Sequence, residues 1–156
     1  ELLHVILTED KICKYVDIPL QHISDPVLQR MHRRDSSESI RTLLHKLRAA
    51  SPRMTIRTTL MVGFPGETEK DFKELCDFIK EVRFDDMGAF KFSPQEGTPA
   101  ARMTDQIEEE VKENRYHELM AIQAGISEEN NENLIGAPLS RRRKWMAMCT
   151  LIIREI

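Results

Sequence analysis

The chain has 156 residues, of which 40% are hydrophobic and 31% are charged, and its formal net charge at pH 7 is -3. This is about one domain's worth of an ordinary globular protein, and the slightly acidic balance gives no electrostatic case for nucleic acid as the main partner. No apolar run approaches the roughly 18 residues of a membrane span, and no signal-peptide pattern opens the chain. Three cysteines that lie far apart, Cys13, Cys76 and Cys149, suggest neither a disulfide framework nor a CxxC metal site. A reducing cytoplasm is therefore the expected compartment.

The first half of the chain predicts one strand and two helices. Residues 15–20, YVDIPL, read as a short β-rich strand. Asp25 and Pro26 then predict a helix start, because Asp caps helices and Pro suits the first turn. Ser36 or Ser37 can cap a second helix. Four apolar residues recur at helical spacing within it: Ile40, Leu43, Leu44 and Leu47.

The second half predicts two more strands and two more helices. MTIRTTLMVGF reads as a buried, β-branched strand, and Thr68 with Asp71 predicts a capping box at the start of the next helix. GAFKFS, residues 88–93, reads as a third strand. A long charged helix follows from about residue 105 to 131.

Strands that alternate with helices predict an α/β fold with a parallel sheet. Three strands leave both sheet edges open, and the chain starts abruptly at ELLHVILTED, so we expect part of a barrel or of a larger sheet. In either architecture ligands bind at the carboxyl ends of the strands. Residues 20–22, 62–67 and 92–96 should therefore face one mouth.

The tight turn GFPGE after the second strand has two interpretations. Gly63 and Gly66 can take positive φ and reverse the chain, or the bare backbone can leave room for a ligand. The stretch is not a phosphate-binding Walker A loop, because no Gly-Lys-Ser/Thr follows and Glu67 would repel a phosphate. The residues alone favour the plain turn.

Polar residues elsewhere have competing interpretations as well. His22 could be a base or a metal ligand, but a capping role or a buried hydrogen bond is favoured. Arg57 and Lys91 lie within apolar strands, so each needs a carboxylate from the protein or from a ligand. Four methionines are most simply core filler: Met31, Met54, Met61 and Met87.

Three segments together carry a family resemblance: YVDIPLQHISDPVLQRMHRR, IRTTLMVGFPGETEKDF and GAFKFSPQEGTPAARM. In this order, from about Glu1 to Gly136, they resemble the second half of a radical S-adenosylmethionine (SAM) methylthiotransferase. One bacterial branch of that family modifies a tRNA adenosine and typically reads PVQSGSD where this chain reads PLQHISD. His22 and GAFKFSPQEGTPA are similar to the other branch, which modifies an aspartate of a small-subunit ribosomal protein.

The resemblance implies a partial (βα) barrel of the radical SAM type, of which this chain holds strands four to six. SAM lies across the strand ends in such barrels, and the glycine turn passes close to its adenine and ribose. No catalytic residue and no metal ligand is assigned within the chain. The SAM-binding candidates are Gln21, Arg57, Thr59, Gly63, Phe90 and Ser93.

The resemblance further implies two [4Fe-4S] clusters in the full-length enzyme, with their ligands absent from this chain. The full enzyme cleaves SAM to a 5'-deoxyadenosyl radical that abstracts hydrogen from the substrate, and sulfur and methyl are then added. This chain contributes SAM-positioning strands and barrel wall, and alone it is expected to be inactive.

The expected division of the chain is a half-barrel over residues 1–104, a long closing helix over 105–136 and an unexplained tail over 137–156. Relatives continue at the tail into a small substrate-binding β-barrel, whereas four basic residues here, 141–144, give only a weak nucleic-acid signal. The expected partners are the ribosomal-protein substrate and the missing amino-terminal half of the barrel, without a membrane. Two alternatives stay open: the tRNA enzyme, which alone brings in nucleic acid, and a non-catalytic scaffold.

Overall fold

The computed structural model describes residues 2–9, 11–52 and 54–133, so the predictions on the tail and on Cys149 lie outside the described residues. The elements are α1 (Leu2–Thr8), β1 (Tyr15–Gln21), α2 (Asp25–Arg30), α3 (Ser37–Ala50), β2 (Thr55–Val62), α4 (Glu69–Val82), β3 (Asp86–Lys91), a 3-10 turn (Ala100–Arg102) and α5 (Glu109–Glu132). No described helix has both the length and the apolar character that crossing a bilayer demands.

The three strands form one parallel sheet in the order β1-β2-β3. The predicted α/β fold with parallel, adjacent strands in chain order is therefore confirmed. Strand β3 begins at Asp86, two residues before the predicted start, because Asp86 already pairs with Arg57 of β2. Since all three strands run the same way, their carboxyl ends meet at one edge of the sheet.

The sheet has one covered face and one open face. Along β2 the side chains alternate between buried and half-buried, as the two-residue period of a strand requires. The buried set packs with residues of α3, α4 and α5 in one core: Ile56, Leu60 and Val62 with Leu44, Leu75 and Leu119. The half-buried set lies on the open face, where Phe90 of β3 is 59% exposed.

Local signals place the helix ends. Ser36 caps α3, and Thr68 with Asp71 forms the expected capping box of α4. Leu43 is 42% exposed rather than buried, because the apolar stripe of α3 is centred on the other three predicted residues and Leu43 lies at its margin. Helix α5 begins at Glu109, later than expected.

Candidate cofactor site

A cavity of about 310 Å³ opens at the carboxyl edge of the sheet. Its wall is mostly apolar, and the lining residues include Met31, Met61, Phe64, Phe92 and Met103. The rings of Phe64 and Phe92 meet edge to face with centroids 5.1 Å apart, which is a favourable aromatic geometry. The arrangement suits a flat, largely apolar group such as a nucleobase.

Gln21 lines this cavity at the end of β1. Its φ of 69° lies in the left-handed region, and the register with β2 shifts between Ile18 and Gln21. A non-glycine residue in this region costs on the order of 1 kcal/mol, and such residues are enriched at functional sites. Gln21, predicted from the end of a strand, is therefore placed at the cavity by a strained backbone.

Two arginines and one histidine contribute to the lining: Arg30, Arg33 and His32. Arg30 is already paired with Asp105 at 2.5 Å, and Arg33 Nη2 lies 3.2 Å from Asp35. The Nε atom of Arg33 is buried and has no hydrogen-bond partner in the described part of the chain. A guanidinium that lines an apolar cavity suits an anionic group on a ligand.

The glycine turn faces protein side chains. Gly63 and Gly66 have φ values of 74° and 81°, so both need the left-handed region that glycine enters freely. A Cβ atom on Gly63 would collide with the side chain of Lys112, and one on Gly66 would collide with Arg30 and Asp105. Turn geometry and close protein packing are compatible with the plain-turn interpretation of both glycines, and the predicted contact of Gly63 with SAM stays a prediction.

The buried Glu67 side chain hydrogen-bonds to the backbone of the turn. Its Oε2 atom accepts the backbone N–H of Gly63 at 2.7 Å and of Phe64 at 3.3 Å, and its Oε1 atom accepts Nη1 of Arg115 at 2.9 Å. Burial raises the pKa of this carboxyl group, while Arg115 and the two amides work against the rise. Sequence reasoning missed this role, because a partner 48 positions away leaves no local pattern.

His22 is fully buried beside this carboxylate. Its Nδ1 accepts the N–H of Ser24 at 3.0 Å, which fits the expected buried hydrogen bond. The neutral ring therefore carries its proton on Nε2, which lies 3.9 Å from Glu67 Oε2. Burial lowers the pKa of His22 to about 4, although Asp71 opposes that effect. Asp71 also accepts the hydroxyl of Ser24 at 2.5 Å.

Arg57 lies near the amino end of β2, away from the cavity lining. Its Nη1 lies 2.6 Å from Asp17 Oδ2 and its Nε lies 3.0 Å from Asp86 Oδ2. The pKa of Arg57 is raised, mainly by its hydrogen bond to Asp17. The carboxylates that Arg57 needs thus come from the protein; the prediction that it also contacts SAM stays a prediction. Lys91 is likewise paired, with Glu109 and Glu113 of α5.

The remaining candidates lie within β2 and near the end of β3. Thr59 is half-buried opposite Gly88, and Ser93 is exposed just after β3. Phe90 points to the open face, so Phe92 is the aromatic residue that the cavity receives from this part of the chain. Their contacts with SAM stay predictions.

Two of the four methionines that the sequence predicted as core filler line the cavity instead. Met54 and Met87 are buried in the core, whereas Met31 and Met61 line the cavity. Unbranched, polarizable methionine suits both positions, so its presence in the sequence could not separate them.

The described residues hold no group of three or more His, Cys, Asp or Glu side chains that could bind a metal ion. Cys76 is buried on α4, and burial raises the pKa of its thiol to about 12, which disfavours the thiolate that ligates iron. Cys13 is half-buried elsewhere. The described part of the chain therefore does not fit an iron–sulfur cluster.

Comparison with known proteins shows which families this sequence is similar to. The family model described as the Radical SAM superfamily matches residues 3–79. Over these residues the chain is similar to proteins of the radical SAM superfamily. Its curated relatives include proteins named ribosomal protein uS12 methylthiotransferase RimO, with 54% identity over 134 residues in Geotalea uraniireducens and 55% over 135 residues in Pelobacter propionicus. A third, from Geobacter sulfurreducens, is 52% identical over 134 residues.

Each of these matches covers 86% of this chain but only 30% of the relative. The chain thus spans about 30% of the length of the curated relatives it matches. The resemblance to a radical SAM methylthiotransferase of the ribosomal-protein branch is confirmed, and it concerns one part of such an enzyme.

The cavity fits the cofactor for which the superfamily is named. Apolar walls with Phe64 and Phe92 suit the adenine of SAM, Gln21 offers an amide, and the Arg33 guanidinium suits the carboxylate. Arg33 and Phe64 were not among the predicted site residues. Arg33 could have been found as one of several cations that follow a predicted strand end.

Proposed function

We propose that this chain is the part of a radical SAM methylthiotransferase that positions SAM, and that the whole enzyme modifies an aspartate of ribosomal protein uS12. The chain contributes strands four to six and the wall of a partial barrel. The observation that carries the proposal is the identity of about 50% with relatives named for that reaction, over 86% of this chain.

The cofactor is held by this chain's own residues in the proposal. Phe64 and the methionines of the cavity would hold the adenine, the Gln21 amide would bind a polar edge, and Arg33 would pair with the carboxylate. When bound with the iron–sulfur clusters of the complete enzyme, SAM supplies the radical and the methyl group. The cluster ligands come from outside the described residues.

The proposed compartment is the cytoplasm, where the ribosomal substrate is found. The remaining sequence candidates, Arg57, Thr59, Gly63, Phe90 and Ser93, are proposed as further contacts of SAM.

The test uses the full-length protein that carries this chain, reconstituted anaerobically with iron and sulfide. It is incubated with SAM, a reductant and either uS12 or tRNA, and each product is examined by mass spectrometry. We expect a methylthio group on an aspartate of uS12 and none on tRNA. Modification of tRNA alone would support the other branch, and 5'-deoxyadenosine formation without either product would refute both substrates.

Arg33→Gln tests the cofactor geometry within the same enzyme. It removes the guanidinium that we assign to the carboxylate and should raise the Kd for SAM about tenfold, as expected for one charge-assisted hydrogen bond. Arg34→Gln is the matched control, because Arg34 is the exposed neighbour and does not line the cavity. Equal Kd values in both variants would contradict the placement of SAM.

A further inference from the structure

A buried ion pair joins α5 to the turn that follows β2. Nη1 of Arg115 donates to Glu67 Oε1 at 2.9 Å and to the Glu67 carbonyl oxygen at 3.1 Å. The two side chains are 8% and 0% exposed. A guanidinium fixed at two oxygens of one residue holds both the side chain and the backbone of that residue in place.

The same carboxylate is bound on its other side by the turn. Glu67 Oε2 accepts the N–H groups of Gly63 and Phe64 at 2.7 and 3.3 Å. Arg115 and the two amides thus bind the two oxygens of one carboxylate. Helix α5 is thereby linked to the backbone of Phe64 through one residue.

Phe64 forms a wall of the candidate cavity. Its ring is 6% exposed and meets Phe92 edge to face. The orientation of this wall therefore depends on where the Glu67 carboxylate lies, and the carboxylate in turn depends on Arg115. Replacing a buried ion pair by apolar residues is often neutral or stabilising, so stability alone is a weak reason for such a pair beside a cavity.

We propose that Arg115 is a positioning residue for the cofactor, acting through Glu67 to hold Phe64 against the cavity. The inference rests on the proposed function, since it takes SAM as the occupant. Helix α5 holds none of the predicted site residues. In this proposal it controls the position of Phe64 in the cavity wall.

The first test is Arg115→Met in the full-length protein, with the Kd for SAM measured by calorimetry at a temperature where the variant is folded. We expect a Kd raised about tenfold or more, since small misplacements of positioning groups have large effects. The matched control is Arg83→Gln. Arg83 also pairs with α5, at 2.7 Å to Glu129, but that pair is exposed and far along the chain from the turn.

The control should keep the wild-type Kd within about twofold. A purely structural ion pair predicts a lower melting temperature for Arg115→Met with an unchanged Kd in the folded protein, and this result would overturn the inference. If Arg115→Met does not fold, Arg115→Lys replaces it. A single ammonium cannot reproduce the fork of the guanidinium, so its Kd should rise by about fivefold, and an unchanged Kd would again overturn the inference.

A second readout separates this inference from the proposed function. NMR contacts between the Phe64 and Phe92 rings, measured without SAM, report the wall directly. If the wild type binds no SAM but Arg115→Lys weakens the ring contact, the cofactor assignment is wrong and the positioning link stands. If the wild type binds SAM and neither the ring contact nor the Kd changes in the variants, the positioning link is wrong.

Discussion

His22 should make the stability of this fold strongly dependent on pH. The ring is fully buried and neutral, and burial lowers its pKa from 6.5 to about 4. The unfolded chain therefore binds a proton at a pH where the folded chain does not. Stability is fully present above pH 6.5 and is lost as the pH falls toward 4.

The size of the loss follows from these two values. A pKa of 6.5 in the unfolded chain and about 4 in the folded chain corresponds to a loss of about 2 kcal/mol between pH 7.5 and 5, and on the order of 3 kcal/mol at still lower pH. The buried neighbour Glu67 acts in the opposite sense, because its pKa is raised. Asp71 has a lowered pKa, so its contribution is lost at lower pH than that of His22.

The assay is urea unfolding followed by circular dichroism at pH 7.5, 6.5, 5.5 and 5.0. His22→Asn is the test variant, because its side-chain oxygen can still accept the N–H of Ser24 while the titrating ring is removed. It should be less stable at pH 7.5 and show a much flatter pH dependence. His45→Asn is the control, since His45 is exposed on α3, and it should keep the wild-type slope. Equal slopes for the wild type and His22→Asn would refute the reasoning.

Three further predictions concern the turn, the cysteines and the strand arginine. Gly63→Ala should destabilise the fold by at least about 1 kcal/mol in urea unfolding, because alanine disfavours the positive φ and its Cβ would collide with Lys112. Adding Lys112→Ala to the same chain should restore part of this lost stability. A thiol reagent should modify half-buried Cys13 rapidly in the native protein and buried Cys76 only on unfolding. Arg57→Leu should lower the melting temperature, since it leaves two aspartates unpaired, and in the complete enzyme it should weaken SAM binding, as calorimetry can measure.

The sequence predicted the sheet well because each strand has a local signal. Alternation along residues 55–62 and the capping pair Thr68 and Asp71 are set by neighbours within a few positions. The start of α5 was misplaced for a physical reason. The Gln106 side chain bonds the carbonyl oxygens of Ala100 and Met103, which holds an irregular segment where charge pattern alone suggested helix.

The site was predicted only in part, because its essential contacts are long-range. Gln21 follows from the rule that ligands lie at strand ends, and the structure places it in the cavity lining. Glu67 and Arg115 are separated by 48 positions, and nothing in either local sequence indicates the other. Arg57 is a charged residue within a strand. Such a position predicts that the residue forms an ion pair, but it does not predict which residues are the partners.

The glycine turn between β2 and α4 contributes the side chain of Phe64 to the cavity lining. Lys112 occupies the space beside Gly63, and Arg30 with Asp105 occupies the space beside Gly66. Positive φ at both glycines reverses the chain and brings Phe64 between them into the cavity wall. Phe64 is therefore the residue of this turn that lines the cavity, placed there by the two glycines, and the contact of Gly63 with SAM stays a prediction.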